Sequence, residues 1–79
     1  MADLNRIKVA LAEKKISNKL LAEHLGRRVE TISRWCTNKQ QPSLEELNSI
    51  AEFLKVDIRN LLYPSDWSES NVEEFVAKK

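Results

Sequence analysis

Glycine, proline and cysteine are nearly missing from this chain of 79 residues, which holds one Gly, two Pro and one Cys. So little turn chemistry suits a β-sheet domain poorly, and the expectation moves to an all-helical fold. The lone Cys36 excludes an intramolecular disulfide framework, and with the single His24 it falls short of the four ligands of a structural zinc site. No apolar run approaches the roughly 18 residues of a membrane-spanning helix, so no membrane partner is expected. Asp3, Arg6 and Lys8 interrupt the pattern of a signal peptide, which points to a cytoplasmic protein. One His, one Cys and no glycine-rich loop leave too few parts for a nucleophile–base pair or a phosphate cradle. An enzyme is therefore not expected, nor a cofactor, a metal or a small-molecule ligand.

What is present is the balance of one small folded domain. Apolar residues make 42% of the chain and charged ones 32%, enough for a core and too apolar for a charged disordered tail. The net charge of +1 conceals an asymmetry. Residues 1–43 carry nine basic and four acidic side chains, net +5, while residues 44–79 carry four basic and eight acidic, net −4. Such a division suggests that the first part faces a polyanion and the second faces elsewhere.

Five helical segments are predicted. The first runs from Leu4 to Lys14 with Asp3 as its cap and Leu4, Ile7 and Leu11 on one face. The second follows Ser17 and stops at Gly26, with Ile16 and Leu21 as a hydrophobic staple at its entry. The third spans Val29 to Thr37 and starts without a conventional cap, since Arg28 holds that place. Ser43 and Glu46 open the fourth as a capping box, followed by Leu44, Leu47, Ile50, Ala51 and Leu54 at helical spacing. A short fifth segment, Ile58 to Tyr63, is capped by Asp57 and closed by Pro64. Residues 1–64 thus form the expected domain, and residues 65–79 an acidic tail, either a short helix around Val72, Phe75 and Val76 or an exposed end.

The second and third segments are joined only by Gly26, Arg27 and Arg28. Two helices linked so briefly, with a Gly at the corner, cross steeply as a helix-turn-helix. Four stretches carry a wider resemblance: Leu21-Ala22-Glu23-His24-Leu25-Gly26, Thr31-Ile32-Ser33-Arg34-Trp35, Gln41-Pro42-Ser43-Leu44-Glu45-Glu46-Leu47, and Ile50-Ala51-Glu52-Phe53-Leu54. In this order and spacing, over about Asn5 to Leu62, the chain resembles the Xre or lambda-repressor-like DNA-binding domains. The resemblance implies a five-helix fold, usually dimeric, that binds short operators in double-stranded DNA with its third helix in the major groove. It also implies that Val29, Glu30, Ser33 and Arg34 occupy base-reading positions. Departures from the family pattern stand at Arg27, Arg28, Leu20 and the run Cys36-Thr37-Asn38, where Asn38 tolerates the left-handed conformation nearly as well as Gly, so the turn can survive.

The residue types agree independently. At about 100° per residue, Ile32, Trp35 and Cys36 face one side of the third helix, and Glu30, Ser33, Arg34 and Thr37 the other. Arg34 is the first choice for direct readout, because a guanidinium pairs bidentately with guanine N7 and O6. Glu30 can accept from cytosine N4 or orient Arg34 as an i, i+4 partner. Val29 suits a thymine methyl, and Arg28 lies at the helix start beside base or phosphate. Phosphate contacts are expected from Ser17, Asn18 and Lys19, from the loop Thr37-Asn38-Lys39-Gln40, and from Arg27 and Thr31. Trp35 and Cys36 are read as inward-facing, Cys36 with Arg34 as a nearby cation, and His24 as a surface residue. Phe53, Leu62, Tyr63 and the tail around Trp67 and Phe75 are candidate surfaces for a homodimer. A second reading, from another class, is a helical protein-interaction module that keeps the fold without reading DNA; Leu20, Phe53 and the acidic second half favour it.

Overall fold

The computed structural model describes residues 3–65. Four α-helices follow one another: α1 Ile7–Lys14, α2 Asn18–Leu25, α3 Val29–Cys36 and α4 Leu44–Leu54. Among the described residues a 3₁₀ turn, Ile58–Leu61, comes last. The all-helical class and the four main segments therefore stand, while the fifth segment is one 3₁₀ turn rather than a helix reaching Tyr63. Among the described residues no helix is long and apolar enough to cross a membrane. The Trp67, Val72, Phe75 and Val76 readings lie outside the described residues.

One apolar cluster holds the elements together. Ile7, Ala10 and Leu11 of α1 meet Leu21 and Ala22 of α2, Ile32 and Trp35 of α3, Leu47, Ile50, Ala51 and Leu54 of α4, and Leu61 of the turn. Ile16, expected to staple the entry of α2 against Leu21, and Val56 pack against its rim. Full burial of a side chain such as Leu21 or Ile50 contributes about 1.5–3 kcal/mol, so this cluster is the main source of cohesion.

The first helix starts later than predicted, at Ile7. Leu4 is 56% exposed and Asp3 caps nothing. The reason is that Leu4, Asn5 and Arg6 are engaged elsewhere. Arg6 N–H donates to the Leu61 carbonyl at 2.9 Å and Tyr63 N–H to that of Leu4 at 3.0 Å, an antiparallel bridge at Asn5 and Leu62. Asn5 Oδ1 then accepts from Ile7 N–H at 3.1 Å and takes over the capping that Asp3 was expected to give.

Helix ends follow two devices. Ser17 accepts from Leu20 N–H, and Ser43 with Glu46 forms the predicted capping box. At the other ends Gly26 (φ +67), Lys15 (φ +58) and Lys55 (φ +58) take left-handed conformations. Only the first of these was legible from residue type. Asn38 (φ +60) is left-handed as its loop requires.

Candidate nucleic-acid interface

The corner between α2 and α3 is built from three residues. Gly26 N–H donates to the Glu23 carbonyl and Arg27 N–H to that of Ala22 at 2.9 Å, so the last carbonyls of α2 are covered as the chain turns. Ala22, 2% exposed, leaves room for α3 to lie close against α2. Arg28 is extended (φ −75, ψ 148) and offers no side-chain cap. The N–H groups of Val29 and Glu30 have no acceptor among the described residues, and Glu30 places a negative charge in that first turn, which its dipole favours.

Two faces of α3 differ sharply. Ile32 and Trp35 are buried at 0% and 2% exposure, as read from their spacing. Val29, Glu30, Ser33 and Arg34 are exposed together on the opposite side, with Arg28 at the near end. Thr31 is half-buried. Among the described residues no ion pair within 4.0 Å joins Glu30 to Arg34, so both charges stand free on this face. The outer face thus presents a methyl-bearing branch, a carboxylate, a hydroxyl and a guanidinium within two turns.

Flanking groups fall into three kinds. At the start of α2, the N–H groups of Asn18 and Lys19 have no acceptor among the described residues, and Lys19 is exposed beside them. The Ser17 hydroxyl oxygen accepts from Leu20 N–H at 3.0 Å, which leaves its proton to donate outward. Asn18 turns part of its amide inward, its Oδ1 accepting from Cys36 Sγ at 3.7 Å. In the loop after α3, the N–H groups of Thr37, Asn38, Lys39 and Gln40 all donate to carbonyls of Ser33, Arg34 or Trp35. Only the exposed side chains of Lys39 and Gln40 remain for an external anion there. The Thr37 hydroxyl donates back to Ser33 and Arg34 carbonyls.

Asn38 departs from the expectation. The residue is 8% exposed and its side chain is turned inward, with Oδ1 accepting from Leu4 and Asn5 N–H and Nδ2 donating to the Asn5 carbonyl, so it is not placed to hold a phosphate. Sequence reasoning missed its partners Asn5 and Gln41, because an Asn near an N-terminus and a Gln before a Pro carry no special pattern. Arg27 is also committed in part. Its Nη2 pairs with Glu46 Oε2, and that buried oxygen has no other partner, so the capping-box carboxylate ties the α2–α3 corner to α4.

Two further expectations are corrected, the cation near Cys36 and the exposure of Phe53. Burial pushes the Cys36 thiol above its ordinary 9.0, and the cation close enough to oppose this is Lys8 rather than Arg34. Phe53 is half-buried, not free, and stacks on exposed His24 with ring centroids 4.0 Å apart. Leu20, Leu62 and Tyr63 are exposed at 44%, 41% and 44%.

Comparison with known proteins agrees with this geometry. The family model described as a Cro/C1-type HTH DNA-binding domain matches residues 6–66. This chain belongs to the Cro/C1-type helix-turn-helix family. A solved structure from Bacteroides fragilis, assigned as a DNA-binding protein, is 58% identical with a TM-score of 0.75, covering 76% of this chain and 97% of its own. A transcriptional regulator from Listeria innocua shares the fold at 18% identity and a TM-score of 0.62, over 94% of this chain and 75% of its own. Among curated proteins none matches.

Proposed function

We propose that this chain is a sequence-specific transcriptional regulator of the repressor kind, which binds double-stranded DNA by laying α3 in the major groove. The observation that carries the reading is the two-faced α3. Ile32 and Trp35 anchor it in the core, while Val29, Glu30, Ser33 and Arg34 stand outward together. A major groove admits one helix, and these are side chains that address base edges. Arg34 reads guanine, Glu30 accepts from cytosine N4 or steadies Arg34, Val29 meets a thymine methyl, and Ser33 and Arg28 complete the contact.

Phosphates are held by the open start of α2, through Ser17, Asn18 and Lys19, and by Lys39 and Gln40 beyond α3. Arg27 contributes through the guanidinium N–H groups not turned to Glu46. Thr31 and Thr37, whose hydroxyls are half-buried or internally bonded, contribute least. The names of the Bacteroides and Listeria proteins point the same way.

The regulator acts as a homodimer on a palindromic operator, because one domain of this size covers few base pairs. Two copies about 34–36 Å apart double the contacts. Leu62 and Tyr63, exposed beside a shallow cleft of about 500 Å³ that Arg6, Arg59, Asn60 and Pro64 also line, form the candidate dimer surface.

Selection of bound duplexes from a random pool tests all of this. The expected result is enrichment of a two-fold symmetric sequence with half-sites one helical turn apart. An unenriched pool, with affinity that follows salt alone, would favour instead the protein-interaction reading, for which Leu20 and Leu44, 44% and 75% exposed, are the available surface.

A further inference from the structure

The inward-turned amides described above form a group that the helix-turn-helix itself does not require. Asn5 and Asn38 are 33 positions apart in the chain and are the only buried polar residues among those described. Asn38 behaves as an extra strand residue toward Asn5. Its Oδ1 accepts from Asn5 N–H at 2.9 Å and its Nδ2 donates to the Asn5 carbonyl at 3.0 Å. The same Oδ1 accepts from Leu4 N–H at 2.9 Å and from Gln41 Nε2 at 3.1 Å. Asn5 returns the contact, its Nδ2 donating to the Trp35 carbonyl at 2.9 Å and to Gln41 Oε1 at 2.7 Å. Every polar atom of the two amides has a partner, so the group is closed.

The position of this group matters. The Trp35 carbonyl belongs to the last turn of α3, Asn38 opens the loop that carries Lys39 and Gln40, and Gln41 closes it. Leu4 and Asn5 are joined in turn to Leu61 and Tyr63 across the bridge to the 3₁₀ turn. One set of amides therefore fastens the end of α3 and its phosphate-facing loop to the segment that precedes α1. We infer that Asn5, Asn38 and Gln41 are positioning residues for operator recognition: they hold the C-terminal end of α3 and the Thr37–Gln40 loop in one fixed pose relative to the domain, so that base contacts from Arg34 and phosphate contacts from Lys39 and Gln40 are made together.

The physical reason is preorganisation. A loop already held in its bound pose loses little conformational freedom on binding, while a loose one must be ordered at that moment. Non-specific binding, which any basic surface supports, has no such demand on geometry. Loss of the amide group thus lowers affinity for the operator more than affinity for unrelated DNA. The selectivity ratio falls.

The inference rests on the proposed role of α3, and the test separates the two. Asn38→Gly keeps the left-handed backbone and removes only the side-chain amide. Gln41→Ala removes two outer bonds and leaves the Asn38–Asn5 pairing, which guards against a variant that fails to fold. Both are compared with wild type on the wild-type selected operator and on unrelated duplex, at a temperature where all are folded. Operator affinity is expected to fall about tenfold for Asn38→Gly and about threefold for Gln41→Ala, with non-specific affinity within about twofold. Amide hydrogen exchange of free protein gives a readout without DNA: in Asn38→Gly, protection is expected to fall at Lys39 and Gln40 as well as at Leu4 and Asn5. A wild-type operator together with unchanged selectivity in folded Asn38→Gly would overturn the positioning role alone. If wild type selects no operator, the role of α3 fails and takes this inference with it. Unchanged protection at Lys39 and Gln40 would also overturn the inference.

Discussion

At the scale of single residues, Arg34 and Glu30 differ most in what they contribute to the proposed contact. Both are exposed and neither is engaged by the other, so each is free to meet a base. Arg34→Ala is expected to cost about 1–3 kcal/mol of discrimination at one base pair, read as a flattened preference at that position of the operator. Glu30→Ala removes a charge that phosphates repel, so non-specific affinity should rise while sequence preference relaxes. Unchanged preference in that variant would return Glu30 to an ordinary surface carboxylate.

Residue-scale chemistry also shapes stability. Gly26 stands at φ +67 with nothing within 4 Å of where a Cβ would sit, so Gly26→Ala meets strain of the backbone alone. A loss of about 1 kcal/mol is expected in denaturant unfolding. The side chain of Arg59, and then its backbone N–H, hydrogen-bond Asp57 and hold its carboxyl down from 3.8 to about 2. A depressed folded value means that the contribution is whole above the ordinary carboxylate range and fades as pH falls through about 2. In Arg59→Ala the Asp57 titration, followed by NMR, should move back toward 3.8.

At the scale of elements, caps decide where the short helices begin and end. Ser43→Ala breaks the capping box of α4 and should cost about 1 kcal/mol, while also loosening the Glu46 carboxylate that Arg27 meets. Lys55 ends α4 at φ +58, a conformation in which Gly is relaxed, so Lys55→Gly should stabilise the domain by about 0.5–1 kcal/mol. Much of this level was legible in the chain. The spacing of Leu47, Ile50, Ala51 and Leu54, the Ser43–Glu46 pair and the Gly26 corner all carry local signals that tertiary packing leaves intact. The start of α1 was not legible, because Asp3 and Leu4 fit a cap and a core position by pattern. The Leu4 backbone is instead drawn into bonds with Asn38 and Tyr63, residues far along the chain. The inward turn of Asn38 escaped for the same reason. Its residue type announces a tight turn, while its partner Asn5 is set by the fold.

At the scale of the whole molecule, the response to salt follows from how charge is divided along the chain. The positive balance of residues 1–43 lies in the part that contains α2 and α3, and the negative balance in the part that follows. Binding to DNA should therefore weaken steeply with salt, by roughly one unit of log–log slope for each phosphate neutralised, and Lys39→Ala should lower that slope by about one. Sedimentation should show two chains per selected operator. Substitution of Tyr63 by a charged residue should reduce this to one if Leu62 and Tyr63 form the seam.

Every contact proposed with DNA depends on the outer face of α3 entering the duplex. Titration of uniformly ¹⁵N-labelled protein with its selected operator tests this most directly. The largest amide shifts are predicted at Val29, Glu30, Ser33 and Arg34, with smaller ones at Asn18, Lys19, Lys39 and Gln40. Shifts gathered instead around Leu44, Leu62 and Tyr63, with those of α3 unmoved, would contradict it.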